Sequence, residues 1–236
     1  MIVSRGLTKT YGSVEVLRGV DLTIARGRVT AIVGPNGAGK TTFIKALLGL
    51  TRADGGSLTF AGAEIGDDAA YRARIGYMPQ IAHFPDNLTG TELLELLRDL
   101  RGTPSCDEQL VDQLNVRASL EKKLRVLSGG TRQKVNAVAA FLFAPELYVL
   151  DEPTSGLDPL SSSILKERIL VERRAGHTII LTSHILSEID ELADDIVYLC
   201  DGTVHFAGGV TELKRQTGTP TIERAIAALM RQEVAA

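Results

Sequence analysis

Apolar and polar residues alternate along 2–8 and again along 20–24, with turns at Tyr11-Gly12 and Arg26-Gly27. A period of two marks strands with one buried face, so these stretches predict antiparallel strands of a small β layer, continued by 58–60 ahead of Gly62. Elsewhere the apolar residues run together. Val29-Thr30-Ala31-Ile32-Val33, Leu147-Tyr148-Val149-Leu150 and Thr178-Ile179-Ile180-Leu181-Thr182 are short unbroken runs, several rich in β-branched residues, which predict strands covered on both faces. Residues 75–80 read as another buried strand, ending at a Pro79-bounded loop. Between these runs the period lengthens to that of helices. Phe43, Ile44, Ala46, Leu47 and Leu48 precede a stop at Gly49. From Phe84 to Lys134 the pattern is helical throughout. Thr89-Gly90-Thr91-Glu92 forms a capping box before Leu93, Leu94, Leu96, Leu97 and Leu100, Gly102 ends that helix, and a weaker helix spans 107–115. Further helices are predicted from Val135, Val138, Ala139 and Leu142, over 161–175, over 185–194 and over 222–230. Asp201-Gly202 between two apolar runs predicts a hairpin. The whole predicts one α/β domain over 1–236. Its core and β layer are expected to span 1–80 and 143–236, with a helical insertion at 81–142.

Composition adds boundaries rather than detail. The 236 residues carry a formal net charge of −3, so no basic surface points to bulk nucleic-acid binding. Cys106 and Cys200 are far apart and form no metal or redox spacing, which suits a reducing compartment. The first residues, Met1-Ile2-Val3-Ser4-Arg5, lack a signal pattern. The best apolar run, Val135 to Ala144, contains Asn136 and is too short to cross a membrane. Any service to a membrane is expected from the aqueous side or through another chain.

Chemistry concentrates at the ends of the predicted strands. Gly34-Pro35-Asn36-Gly37-Ala38-Gly39-Lys40-Thr41, followed by Thr42, has the spacing of a phosphate-binding loop between a strand and a helix. Glycines let backbone N–H groups close on phosphate oxygens, the helix N-terminus adds positive charge, Lys40 brings a mobile cation and the Thr41 hydroxyl suits Mg²⁺. Leu127-Ser128-Gly129-Gly130 is a second Gly-rich turn before a helix, readable as an anion site or as a plain N-cap. Asp151-Glu152 follows a buried strand, where one carboxylate can hold a metal and the other orient water; the alternative is a solvated loop pair. His184 ends another strand and is either structural or a phosphate donor. Tyr11 either packs the β layer or lies flat on a planar base.

Taken together, these motifs resemble the ATP-binding cassette (ABC) ATPase domain over nearly the whole chain. Gly34 to Thr41 resembles the Walker A loop, Gln80 the Q-loop glutamine and Leu127 to Gly130 the signature motif. Leu147 to Glu152 resembles Walker B with the catalytic glutamate, Ser155 to Asp158 the D-loop and His184 the switch histidine. Tyr11 sits where the family places its adenine-stacking aromatic. The resemblance implies a P-loop NTPase with a RecA-like core, an antiparallel β subdomain and an α-helical subdomain. It also implies ATP and Mg²⁺ as cofactors. Lys40, Gln80, Glu152 and His184 would be catalytic, and Thr41, Gln80 and Asp151 would surround the metal. Tyr11, Asn36, Gly37, Ala38, Gly39, Lys40, Thr41 and Thr42 would hold ATP, with Ser128, Gly129, Gly130 and Asp158 reaching the nucleotide of a second copy. The implied partners are that second cassette, paired head to tail, and an integral-membrane transporter subunit on a separate chain; no nucleic acid is expected. The implied location is the cytoplasmic face of a bacterial cell membrane. A soluble ABC ATPase acting on ribosomes or DNA is the alternative, although such proteins usually have two cassettes or a long coiled coil. Thr131 departs from the family, where many members have Gln. The 221–226 run resembles the tail of single-cassette exporter subunits. Tyr77 to Gln80 with Phe84 to Gly90 further resembles the cassette subunit of systems that mature the copper sites of nitrous oxide reductase.

Overall fold

The computed structural model describes residues 1–66, 68–102 and 106–234. Its strands are β1 (Ile2–Tyr11), β2 (Val14–Ile24), β3 (Val29–Val33), β4 (Gly55–Phe60), β5 (Ala63–Glu64), β6 (Ile75–Met78), β7 (Leu147–Asp151), β8 (Thr178–Thr182), β9 (Asp195–Cys200) and β10 (Thr203–Gly209). The α-helices are α1 (Lys40–Leu47), α2 (Gly90–Arg101), α3 (Gln109–Gln113), α4 (Arg117–Leu120), α5 (Gly129–Phe141), α6 (Pro159–Arg174), α7 (Leu186–Leu192), α8 (Val210–Thr217) and α9 (Ile222–Val234). The chain forms two compact units. One joins Met1–Arg72 to Thr178–Ala236, and the other is the continuous stretch Ala73–His177.

In the first unit the alternating segments form an antiparallel sheet, β2-β1-β4-β5. Ile2 lies opposite both Ile24 and Phe60, so three apolar side chains line up across the sheet, all buried. Leu7, Leu17, Val20, Leu22 and Leu58 complete the buried face. The second sheet of this unit is built differently. Strand β3 runs parallel to β8 on one side and to β9 on the other, and β9 turns back antiparallel into β10. Every residue of β3 and β8 is buried, which is why their sequences show no alternation. Helix α1 buries Phe43, Ile44, Ala46 and Leu47. Helix α8 had no counterpart in the sequence reading. Its pattern is short, with Val210 and Leu213 buried one turn apart and Gly218 in the left-handed conformation closing it.

In the second unit β6 and β7 run parallel, Ile75 beside Leu147 through Met78 beside Leu150. The capping box of α2 is complete: the Thr89 hydroxyl accepts from the Glu92 N–H, and the Glu92 carboxylate accepts from the Thr89 N–H. The expected helix at 107–115 is shorter and is followed by a second. Asn115 takes φ +51°, which ends α3, and α4 starts two residues later. This unit takes in β6, β7 and α6 together with the helices of the stretch expected as an insertion. The base of β7 is secured by polar contacts. Arg168 pairs with Asp107 at 2.6 Å and with Glu172 at 2.6 Å, and Tyr148 stacks on Phe141 at 4.7 Å.

Candidate functional site

The Gly34–Gly39 loop leaves β3 at its C-terminal end, the edge where parallel sheets present ligands. Two glycines are required for its path. Gly34 has φ +151°, and a Cβ there would lie 1.8 Å from the Leu199 carbonyl oxygen. Gly39 has φ +102°, and a Cβ would meet Leu17 Cδ2 at 2.8 Å and the Val16 carbonyl oxygen at 2.9 Å. Strands β2 and β9 thus form a rigid back wall, to which the Gly202 N–H adds a bond to the Ala38 carbonyl at 3.2 Å. Lys40, the first residue of α1, arches over the loop. Its ammonium donates to the Gly34 carbonyl at 2.6 Å and the Pro35 carbonyl at 2.9 Å. No acidic residue stands in the first turn of α1 to offset its positive end. Asn36, Gly37 and Thr41 are exposed, Thr42 and Lys40 partly so, and Ala38 is buried.

Two more of the expected residues belong to this unit. Thr182 of β8 lies beside Ile32 of β3 in parallel register. His184, two residues further on, therefore emerges at the same sheet edge as the loop. It is exposed, on a turn pinned by Ser183, whose hydroxyl donates to Glu188 at 3.2 Å and accepts from the Ile185 N–H at 3.0 Å. Tyr11 ends β1. Its ring is exposed, its hydroxyl donates to Thr51 at 3.2 Å, and the Lys9 ammonium lies 5.4 Å from the ring centre.

The second unit holds the carboxylates. Asp151 ends β7 and Glu152 follows, each 8% exposed. Glu152 has φ +51°, a left-handed backbone that side chains with a Cβ avoid. Strand β6 lies in register, Met78 beside Leu150, so Gln80 and the carboxylate pair leave at one edge. Gln80 is exposed, and the loop before it is anchored by buried Asn136, whose amide donates to the Pro79 carbonyl at 2.8 Å. Tyr77 was not singled out from the sequence. Burial first, and the charge of Asp151 second, push its hydroxyl up to about 12, so it stays a neutral phenol near that carboxylate.

The same unit presents the second Gly-rich turn. Ser128 caps α5, accepting from the Thr131 N–H at 3.2 Å, so its N-cap reading holds. Ser128 and Gly129 are nonetheless exposed, and no acidic residue occupies the first turn of α5. Gly130 passes close to the next loop: a Cβ there would stand 3.1 Å from the Gly156 carbonyl oxygen. Asp158 caps α6 through the Ser161 N–H at 2.9 Å and binds the Ser161 hydroxyl at 2.7 Å. Lys134 of α5 pairs with the same carboxylate at 2.8 Å. The Lys134 ammonium, followed by the two Ser161 donors, holds the Asp158 carboxyl well below the usual carboxylate range. One unit therefore gathers the phosphate loop and His184 at one strand edge. The other gathers Gln80, Asp151 and Glu152 at a strand edge and ties the Ser128–Gly130 turn to Asp158.

The chain is similar to known proteins along most of its length. The family model described as ABC transporter matches residues 17–155. The daunorubicin resistance ATP-binding protein DrrA3 of Streptomyces coeruleorubidus is 36% identical over 224 residues, covering 92% of this chain and 71% of that protein. The Nod factor export ATP-binding protein I of Ralstonia nicotianae is 35% identical over 203 residues, covering 84% of this chain and 63% of that protein. Among solved structures, an ATP-binding subunit of an ABC transporter superposes with a TM-score of 0.90 at 31% identity, covering 98% of this chain and 99% of that one.

Proposed function

The chain belongs to the ABC transporter family as an ATP-binding subunit, and on that premise we propose that its ATP hydrolysis drives a conformational change in a membrane subunit carried on a separate chain. The observation that carries this reading is the phosphate loop, with its glycine-only backbone and the Lys40 ammonium arched across it. Asn36 to Thr42 would cradle the phosphates, and Tyr11 would stack on the adenine. Glu152 would polarise the attacking water, its carboxylate aimed by the strained backbone, with Lys40, Gln80 and His184 as the other catalytic residues. His184 and Lys40 would contact the γ-phosphate.

Mg²⁺ fits the donors at hand. Thr41, Gln80 and Asp151 offer hard oxygen ligands, and Mg²⁺ commonly takes one or two protein oxygens with phosphate and water completing the shell. Bound there, the ion would neutralise charge on the phosphates. Among the described residues no cluster of three His, Cys, Asp or Glu side chains is placed to hold a metal by itself, and this mode of binding needs none.

Two copies would pair head to tail, with Ser128, Gly129 and Gly130 of one closing on the nucleotide of the other and Asp158 linking the two sites. The exposed, uncompensated N-terminus of α5 supports that role. Among the described residues no helix is long and apolar enough to cross a membrane. The membrane partner and the place of this chain at its cytoplasmic face are part of the same proposal, supported by relatives named as ATP-binding proteins of resistance and export. Relatives named for resistance and export support transport, in the export direction, over a role on ribosomes or DNA. The copper-maturation resemblance rests on residues 77–90 alone.

Glu152→Gln is the direct test. Hydrolysis should fall by at least about 10²-fold while ATP is retained in a dimer that survives size-exclusion chromatography. Turnover near the unmodified rate would remove Glu152 from its role.

A further inference from the structure

We propose that Lys134 is a positioning residue that makes the signature turn and the Asp158 loop move as one piece. The inference rests on the D-loop role assigned to Asp158 above. Both oxygens of Asp158 are occupied: one accepts from the Ser161 N–H, the other from the Ser161 hydroxyl and from the Lys134 ammonium at 2.8 Å. The two Ser161 contacts are local and hold the carboxylate to its own helix. The Lys134 contact crosses to α5, six residues after the cap residue Ser128. A close approach lies beside it, where Gly130 passes the Gly156 carbonyl so closely that an added Cβ would stand at 3.1 Å. The ionic contact joins the two segments, and the close approach leaves Gly130 little room to move toward the Gly156 carbonyl. Any displacement of Ser128–Gly130 by a nucleotide therefore carries Asp158 with it.

The pair is poorly placed to serve stability. The Lys134 side chain is 21% exposed and that of Asp158 49%, and ion pairs so open to water add little to folding. A loss of turnover without a loss of stability is therefore the distinguishing result.

The test uses the full chain, with kcat, KM for ATP and melting temperature measured for four variants. Lys134→Met keeps the stem and removes the charge. It should lower kcat by about tenfold or more, as small misplacements do, with KM within about twofold and the melting temperature within about 2 °C. Lys134→Arg should restore most of the rate. Asp158→Asn keeps the helix cap and loses the partner charge. It should also lower kcat, and adding Lys134→Met to it should cost nothing more. If Asp158→Asn turns over normally, the role of Asp158 itself is wrong. If Asp158→Asn is slow while Lys134→Met is normal, only the positioning inference falls. It falls equally if Lys134→Met melts more than about 5 °C lower, or if the two substitutions multiply in the double variant.

Discussion

Replacing Glu152 with alanine and with glycine separates the carboxylate from the backbone that presents it. Both substitutions delete every contact beyond Cβ, so these cancel when the two variants are compared. What remains is the left-handed conformation, φ +51°. A residue with a Cβ costs roughly 1–2 kcal/mol there, and glycine costs nothing comparable. Against this, glycine loses about 0.4–1 kcal/mol more chain entropy on folding than alanine. The difference leaves Glu152→Gly more stable than Glu152→Ala by about 0.8 kcal/mol at the middle of both ranges, within about 0–1.6 kcal/mol. At a strand end with ordinary negative φ the order would be reversed. For a chain of 236 residues about 1 kcal/mol moves the melting temperature by about 2–4 °C, so the glycine variant should melt about 1–4 °C higher. Thermal unfolding of both in one buffer reads the difference, and ATP turnover should be lost in both. Alanine melting above glycine would refute the strained backbone and, with it, the idea that strain aims the carboxylate.

Gly34→Ala should abolish nucleotide binding and lower the melting temperature, because its Cβ would overlap the Leu199 carbonyl at 1.8 Å; normal affinity in an ATP titration would contradict the described loop. Tyr77 supplies a pH prediction. Its folded-state value of about 12 lies above the ordinary 10.0, so with rising pH the unfolded chain loses this proton first. The stability it contributes is full below about pH 10 and declines on the way to about pH 12. Tyr77→Phe should flatten that decline in unfolding curves measured across this range, and an unchanged slope would contradict the burial assigned to it.

Motif and strand placement were legible because each rests on a local rule. The phosphate loop needs glycines where the backbone turns left-handed, and β3 and β8 need apolar residues at every position because both their faces are covered. Contacts between residues distant in sequence left less trace. Lys134 reads as an ordinary polar helix residue, and its pairing with Asp158 depends on how α5 and the 155–158 turn come together. Asn136 looked like a blemish in an apolar run; its purpose is the Pro79 carbonyl, 57 positions away. Tyr77 sits in a strand, where aromatic residues are common, and only the register of β6 with β7 brings it near Asp151. Helix α8 was missed for a different reason. Two buried residues one turn apart are too few to establish a period, although Gly209 before it and Gly218 after it bracket the segment.

The back wall of the phosphate loop has a consequence for how the protein is made. Strand β3 and its loop are made well before β8 and β9, their neighbours on either side, which follow about 150 and about 165 residues later. So are Leu199 and Gly202, which press against Gly34 and bond to Ala38. Contacts so remote in sequence close late in folding. The pairing of β6 with β7 lies inside the continuous unit Ala73–His177 and can form earlier in synthesis. The nucleotide-binding loop cannot be held in shape until translation has passed residue 202. A growing chain stalled before that point carries every residue of the loop and lacks the β9 side of the wall that shapes it. Nucleotide capture by this subunit thereby waits on the synthesis of β9 and of the turn that follows it.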